Sequence, residues 1–205
     1  MNLYDYGASS AAFRVRIALN LKRADYTRIP VNLLEGAQRT SSYRATNPQG
    51  LVPTLEVDDG KLLFQSLAIC EYLDEVIPEP RLLPTDSLGR ARVRALALMI
   101  AADIHPLNNL RVRNYLTDQL EITEEARLSW IQHWIAEGFS AFEAHLASAE
   151  TGNFCHGNTP GLADICLVPQ VFNARRFECD LSSWPKLVEI ADHCCALDAF
   201  ADAAP

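Results

Sequence analysis

No apolar run in this 205-residue chain reaches the length needed to span a bilayer, and no basic-then-apolar leader follows Met-Asn-Leu-Tyr-Asp at its start. Cys-x-x-Cys pairs are missing as well. The six cysteines, Cys70, Cys155, Cys166, Cys179, Cys194 and Cys195, fall mostly in stretches of helical pattern. That disfavours a disulfide framework or a zinc site, leaves no metal site in view, and fits buried thiols in a reducing compartment. The expected location is therefore the cytoplasm. Basic charge is also scarce: 18 Lys and Arg stand against 26 Asp and Glu, a net of −8, so nucleic acid is not the expected partner. Repeats and low-complexity segments are lacking. What remains is an ordinary charged fraction and an apolar fraction of 49%, ample for one large or two small folded domains.

The first 80 residues carry a mixed α/β pattern. Leu3–Tyr6 has the character of a short strand, and Ala11–Lys22 that of a helix whose inward face holds Val15, Ala18, Leu19 and Lys22, with Arg14 and Arg16 off that face. The alternation of Thr27, Ile29, Val31 and Leu33 predicts a strand. Ser41–Ala45 is a short helix stopped by Asn47-Pro48. Thr54–Val57 and Lys61–Phe64 flank Asp58-Asp59-Gly60, a hairpin signal, and a helix follows over Ser66–Val76. Pro78, Pro80 and Pro84 make a stiff connector, which puts the domain boundary near residue 80. The remainder, 86–205, is expected to be all helical. One helix starts at Asp86 or Ser87 and is kinked or interrupted by Pro106, a second starts after Thr123, and a buried one, bent by Pro169, runs over Leu162–Arg175.

Residues 9–19, Ser-Ser-Ala-Ala-Phe-Arg-Val-Arg-Ile-Ala-Leu, place two hydroxyls at the mouth of the first helix. A helix start carries unpaired N–H groups and partial positive charge, so it favours an anion. In an acidic chain that binding must come from local groups. Val52-Pro53 enters an extended run either as a cis bond or as the proline of an edge strand. Gln65-Ser66 opens the next helix, where the serine either caps it or contributes to a carboxylate site.

The order β-α-β-α-β-β-α followed by helices is that of a thioredoxin-like domain joined to an all-helical domain, the α/β plus all-α architecture of the cytosolic glutathione transferases. Ser9-Ser10 with Arg14–Leu19, Asn47-Pro48, Val52–Leu55, Gln65-Ser66 and Leu167–Val171 resemble the zeta class, which includes the maleylacetoacetate and maleylpyruvate isomerases. The resemblance covers almost the whole chain. It implies domains at 1–80, holding glutathione, and 86–205, holding substrate, and it implies a homodimer.

It also implies roles for particular residues. The bond before Pro53 is cis, and Val52 offers its N–H and C=O to the cysteinyl part of glutathione. Gln65 and Ser66 receive the γ-glutamyl end, and Gln38 the glycyl side. Ser9 is the catalytic serine, with Ser10 beside it, holding the glutathione thiol as thiolate. The implied reaction is cis-to-trans isomerisation of a cis-enone dicarboxylate in tyrosine or aromatic-ring catabolism. The thiolate adds to the double bond, the resulting single bond rotates, and elimination restores the thiol. Charge building on the substrate calls for cationic donors, of which Arg176 is the first candidate. Arg175 and Arg111 are secondary, and for both the reading as surface arginines on a helix end is preferred. Asn109 reaches glutathione, and His105 either orients the site or is structural.

Departures are visible. Where the family carries arginine before the serine pair this chain has Ala8, where it carries cysteine after the pair there is Ala11, and where the bacterial maleylpyruvate isomerases carry another arginine there is Leu110. Each lost charge-assisted bond is worth about 1.5–3 kcal/mol, a ten- to hundredfold effect. These losses leave room for a transferase acting on small α-halo acids, or for a glutathione-binding protein without turnover. Gly161 replaces the hydroxyl of a capping box completed by Asp164, a loss of a few tenths of a kcal/mol.

Overall fold

The computed structural model describes residues 1–205. They divide into two units, Met1–Leu82 with Leu197–Pro205, and Leu83–Ala196. The sequence reading assigned the whole of 86–205 to the helical domain, whereas the contacts group the final segment with the amino-terminal unit.

In the first unit, β1 (Asn2–Asp5), α1 (Ser10–Leu21), β2 (Thr27–Pro30), α2 (Ser41–Thr46), β3 (Thr54–Glu56), β4 (Leu62–Phe64) and α3 (Ser66–Val76) follow in the expected order. The sheet runs β2-β1-β3-β4, with β1 parallel to β2 and β3 antiparallel to both β1 and β4. Leu55 of β3 lies opposite Leu3 of β1, and both are fully buried. The Asp58–Gly60 turn closes β3 onto β4 with Asp59 at φ 66° and Gly60 at φ 71°, the positive angles such a hairpin requires. β2 ends at Pro30, which has no N–H to extend a ladder.

Both α3 and a short helix of the tail, Asp198–Ala201, pack on α1, so α1 is buried on more than one side. Arg14 and Arg16 are therefore not outside the packed face as the periodicity implied; both are buried. Arg16 is fully engaged. It pairs with Asp5 Oδ1 at 2.7 Å and donates to the carbonyls of Ala203 at 2.7 Å and Gly7 at 2.9 Å, while Arg28 holds the other Asp5 oxygen at 2.6 Å. Burial pulls the Arg16 pKa down and the facing Asp5 carboxylate opposes that pull. This knot fixes the Tyr6–Ala8 loop that delivers Ser9. Lys22, expected on the inward face, is buried there against Asp74 Oδ1 at 2.7 Å.

The second unit contains α4 (Ser87–Leu98), α5 (His105–Asn108), α6 (Leu110–Asp118), α7 (Glu124–Leu146), α8 (Leu162–Arg176) and α9 (Pro185–Cys195); the tail helix of the first unit is α10. Asp86 caps α4 and Thr123 caps α7, each accepting a backbone N–H with its side chain. The irregularity expected at Pro106 lies just before it. The backbone widens into a π-helix over Met99–Ile104, and Pro106 sits in the first turn of α5, where a missing N–H costs little. Ile104 and Gly138 of α7 meet so closely that a Cβ on Gly138 would overlap the Ile104 side chain.

Helix α8 is buried from Leu162 through Val171, as its all-round apolar pattern predicted, and it continues through Pro169. Its start carries half a capping box. Asp164 accepts from the backbone of Gly161 and of Cys155, both at 2.8 Å, and burial raises its pKa against those bonds. Burial likewise pushes the Cys155 and Cys194 thiols up, and none of the six cysteines is in a disulfide.

Candidate functional site

In the first unit the sites read from sequence gather at the starts of α1 and α3 and in the turn before β3. Ser9 is the N-cap of α1, its Oγ accepting from Ala12 N at 3.3 Å. Capping takes a lone pair and leaves the hydroxyl proton to donate elsewhere, so the cap and a thiolate donor are compatible in one residue. Ser10, the first helical residue, is buried beside it.

The turn before β3 is framed by the Asn47-Pro48 signal. Asn47 is buried, and its Nδ2 donates to Leu51 O at 2.9 Å and to Thr54 Oγ1 at 3.1 Å, while Tyr43 Oη donates to Leu51 O at 2.7 Å. Val52 packs with Val31 and Tyr43, and the Val52–Pro53 bond is cis, as the resemblance implied. A second cis bond, Glu79–Pro80, was not foreseen. Gly50, at φ 62°, lets this loop pass Gln38, whose carbonyl oxygen would lie 2.9 Å from a Cβ there.

Gln65 precedes α3 at φ 71° and ψ 115°, a strained conformation for a residue with a side chain, costing about 1–3 kcal/mol. No side chain caps α3. The serine at its mouth is thus not spent on capping. Ser66 Oγ is instead held from α1 by Arg14 Nη1 at 3.3 Å. Arg14 is 1% exposed, and its Nε and Nη2 have no partner. Gln38 is buried too, with Nε2 directed to Leu33 O at 3.4 Å and Oε1 without a partner. Buried donors and acceptors left open cost free energy and are normally satisfied. A peptide ligand carrying a carboxylate beside Ser66 and an amide near Gln38 has the chemistry these groups lack, so the residues present fit glutathione.

In the second unit, Asn109 caps α6, its Oδ1 accepting from Arg111 N at 3.1 Å, and its Nδ2 lies 3.5 Å from His105 Nε2. His105 and Asn109 are thus brought together. The side chain of Arg111 is exposed, and Arg175 is tied to Asp192 at 2.7 Å on the surface. Arg176 is exposed as well; its guanidinium lies 5.9 Å from the Phe177 ring centroid, and it forms no ion pair.

Three residues escaped the sequence reading. Arg14 was placed off the buried face. Asn108 was passed over for its neighbour, yet it is the buried one, with both amide atoms unpartnered. Arg113 carries no sequence signal, and its guanidinium lies 5.0 Å from the same Phe177 centroid as Arg176. For Arg14 a signal existed: Arg-x-Arg inside an unbroken apolar helix leaves little exposed face for either arginine.

A thioredoxin-like unit with open polar groups at the starts of its helices, followed in the chain by an all-helical unit, defines a glutathione transferase. Residues 8–76 match the family described as glutathione S-transferase, N-terminal domain. A maleylacetoacetate isomerase of Rhizobium meliloti is 51% identical over 203 residues, covering 99% of this chain and 95% of that protein. The holo structure of a maleylpyruvate isomerase, a bacterial zeta-class glutathione S-transferase, superposes with a TM-score of 0.98 at 45% identity, covering 100% and 97% of the two chains. A maleylacetoacetate isomerase from Anaeromyxobacter dehalogenans, with glutathione bound in its active site, matches at TM-score 0.88 and 43% identity over 100% and 94%. The chain belongs to the maleylacetoacetate isomerase family, the zeta class of the glutathione transferases, and is an enzyme of that family.

Proposed function

We propose that this enzyme uses glutathione to isomerise maleylacetoacetate or maleylpyruvate from cis to trans. Relatives about half identical over nearly the whole chain carry those names, and the Anaeromyxobacter relative holds glutathione. Within this chain the observation that carries the reading is the disposition of Ser9, whose lone pair serves Ala12 while its proton stays available at a helix start.

When bound, glutathione supplies a thiolate that adds reversibly to the substrate double bond so that the bond can rotate. The protein's part is to hold and tune. Ser9 donates its proton toward the sulfur, Ser10 adds a neighbouring hydroxyl, and the start of α1 adds its partial charge, all favouring the ionised form. Ser66 and the uncapped start of α3 receive the γ-glutamyl carboxylate, with Gln65 presenting that turn, and Arg14 supports Ser66 from behind. The backbone of Val52, turned by Pro53, receives the cysteinyl part, and Gln38 the glycyl side. Asn109 and His105 act beside the ligand, and Arg176 steadies the negative charge that builds on the substrate. Arg175 is spent on Asp192, while Arg111 and Arg176 are both exposed, and the resemblance favours Arg176 for the substrate charge. A homodimer working in the cytoplasm completes the proposal; no helix is long and apolar enough to cross a membrane.

The test is to incubate the protein with glutathione and maleylacetone and follow loss of the cis-enone absorbance. Turnover is expected, and Ser9→Ala should slow it by a factor of ten to a thousand while changing glutathione affinity, measured by calorimetry, far less. Equal rates in the two proteins would remove Ser9 from its role. Binding without turnover in the native enzyme would remove the isomerase reading.

A further inference from the structure

The cap of α6 dictates how a neighbouring imidazole carries its proton. Asn109 Oδ1 starts that helix by accepting from Arg111 N at 3.1 Å. The amide group therefore has one orientation, because a flipped side chain would set its own protons against the Arg111 N–H, donor facing donor. Nδ2 is left on the other side, where it lies 3.5 Å from His105 Nε2. An amide nitrogen donates and does not accept, so the ring nitrogen that meets it must be the acceptor. The neutral imidazole then holds its proton on Nδ1, since the bond made by one ring nitrogen decides the state of the other.

Both partners stand on held backbone. Helix α5 is pinned to α7 by Trp130 Nε1, which donates to Leu107 O at 2.9 Å. The π-helix before it ends on His105, whose N–H donates to Ile100 O, and its Ile104 side chain fits against Gly138 of α7. His156 supplies the contrasting case in the same unit. Its Nδ1 lies 3.4 Å from Arg92 Nη1, and a guanidinium offers no lone pair, so there Nδ1 accepts and the proton belongs on Nε2.

We infer that Asn109 is a positioning residue that holds His105 in the Nδ1–H tautomer, so that the imidazole serves the site as a hydrogen-bond donor through Nδ1 and not as a base through Nε2. The consequence for turnover rests on the role proposed above for His105; the tautomer follows from the cap alone.

Long-range proton–nitrogen correlation spectra of the native enzyme, labelled at its histidine ring nitrogens and held at a pH where the rings are neutral, read the tautomers directly. His105→Gln and His156→Gln give the assignments. His105 is expected to show a proton-bearing Nδ1 and His156 a proton-bearing Nε2. A proton on Nε2 of native His105 overturns the inference, even where no Asn109 variant folds. Asn109→Asp keeps an oxygen for the Arg111 N–H, so α6 stays capped, but it offers Nε2 an acceptor where the amide offered a donor. The His105 proton should move to Nε2, and kcat/KM for maleylacetone with glutathione should fall about tenfold or more. In a His105→Gln background the same substitution should change the rate by less than about a factor of two, because its effect runs through the ring. An equal loss in both backgrounds, or a native tautomer in Asn109→Asp, also overturns the inference. Should the native enzyme isomerise neither maleylacetone nor maleylacetoacetate while its spectrum shows the Nδ1 proton, the reaction reading fails and the tautomer stands.

Discussion

Replacing Arg14 by methionine should move stability and binding in opposite directions. The side chain is 1% exposed, makes one bond to Ser66 Oγ at 3.3 Å, and leaves Nε and Nη2 with no partner. Each unsatisfied buried donor costs about 1–3 kcal/mol, and the bond to the hydroxyl returns about 0.5–1.5 kcal/mol. Methionine has similar reach and no polar group, so the free protein should gain about 0.5–5 kcal/mol, two open donors less one bond. At about 2–4 °C per kcal/mol for a chain of this size, that is a rise in Tm readable by thermal melting without glutathione.

Binding should suffer. A carboxylate oxygen at hydrogen-bond distance from Ser66 Oγ lies within about 6 Å of Arg14 Nη1, and at an effective dielectric of about 20 the attraction is about 3 kcal/mol, roughly a hundredfold in Kd. Calorimetry with glutathione, beside the analogue whose free glutamyl α-carboxylate is replaced by a carboxamide, isolates that contribution, because the analogue lacks the charge and should lose much less. A variant that melts lower than the native protein while binding glutathione equally well would refute the reasoning. It would show that Arg14 is held by the fold for the fold's own sake.

Other outcomes follow from the second unit. Asp164→Ala strips the acceptor from the buried N–H of Cys155 and the half-buried N–H of Gly161, and should cost about 2–5 kcal/mol by urea unfolding; a loss under 1 kcal/mol would mean the start of α8 finds other acceptors. Gly138→Ala puts a methyl into the Ile104 side chain and should cost about 1–3 kcal/mol, with Gly138→Ala/Ile104→Val recovering part of it; an unchanged midpoint would mean the α7 contact is loose. Iodoacetamide at pH 8 should label the exposed Cys195 ahead of Cys155 and Cys194, whose thiols burial holds protonated; equal labelling in the folded protein would contradict that.

What the chain discloses in advance depends on how local the cause is. Asp86 and Thr123 name the starts of α4 and α7 because a cap acts within three residues. The hairpin at Asp58-Asp59-Gly60 and the buried run of α8 are equally local. The positions of Arg14 and Arg16 were misjudged because helical periodicity counts one face. Helix α1 is covered by α3 and by α10, and the latter returns from the far end of the chain. The grouping of Leu197–Pro205 with the first unit is another long-range fact, held by bonds such as Asn20 Nδ2 to Ala199 O at 3.0 Å. Pro106 announced a disturbance without revealing that a π-helix would take it up beforehand. Among the site residues, Ser9, Gln65 and Ser66 were legible as helix starts. Arg113 was not, since only the return of Phe177 from another helix brings its partner near.

The arginines also separate structural from functional charge without reference to any relative. Arg16 has a carboxylate and two carbonyls, every nitrogen answered, and it pins a loop and the chain's tail. Arg175 has Asp192. Arg14 has one hydroxyl and two open nitrogens behind the start of α3, and Arg113 has only a ring and two like charges. Burying a cation with its needs unmet is unfavourable for the protein alone, so the deficit has to be made good by something bound. At Arg14 that deficit faces a serine at an uncapped helix start, which suits one carboxylate. Counting the unanswered donors of the first unit thus gives the charge expected at one end of the bound peptide, a carboxylate.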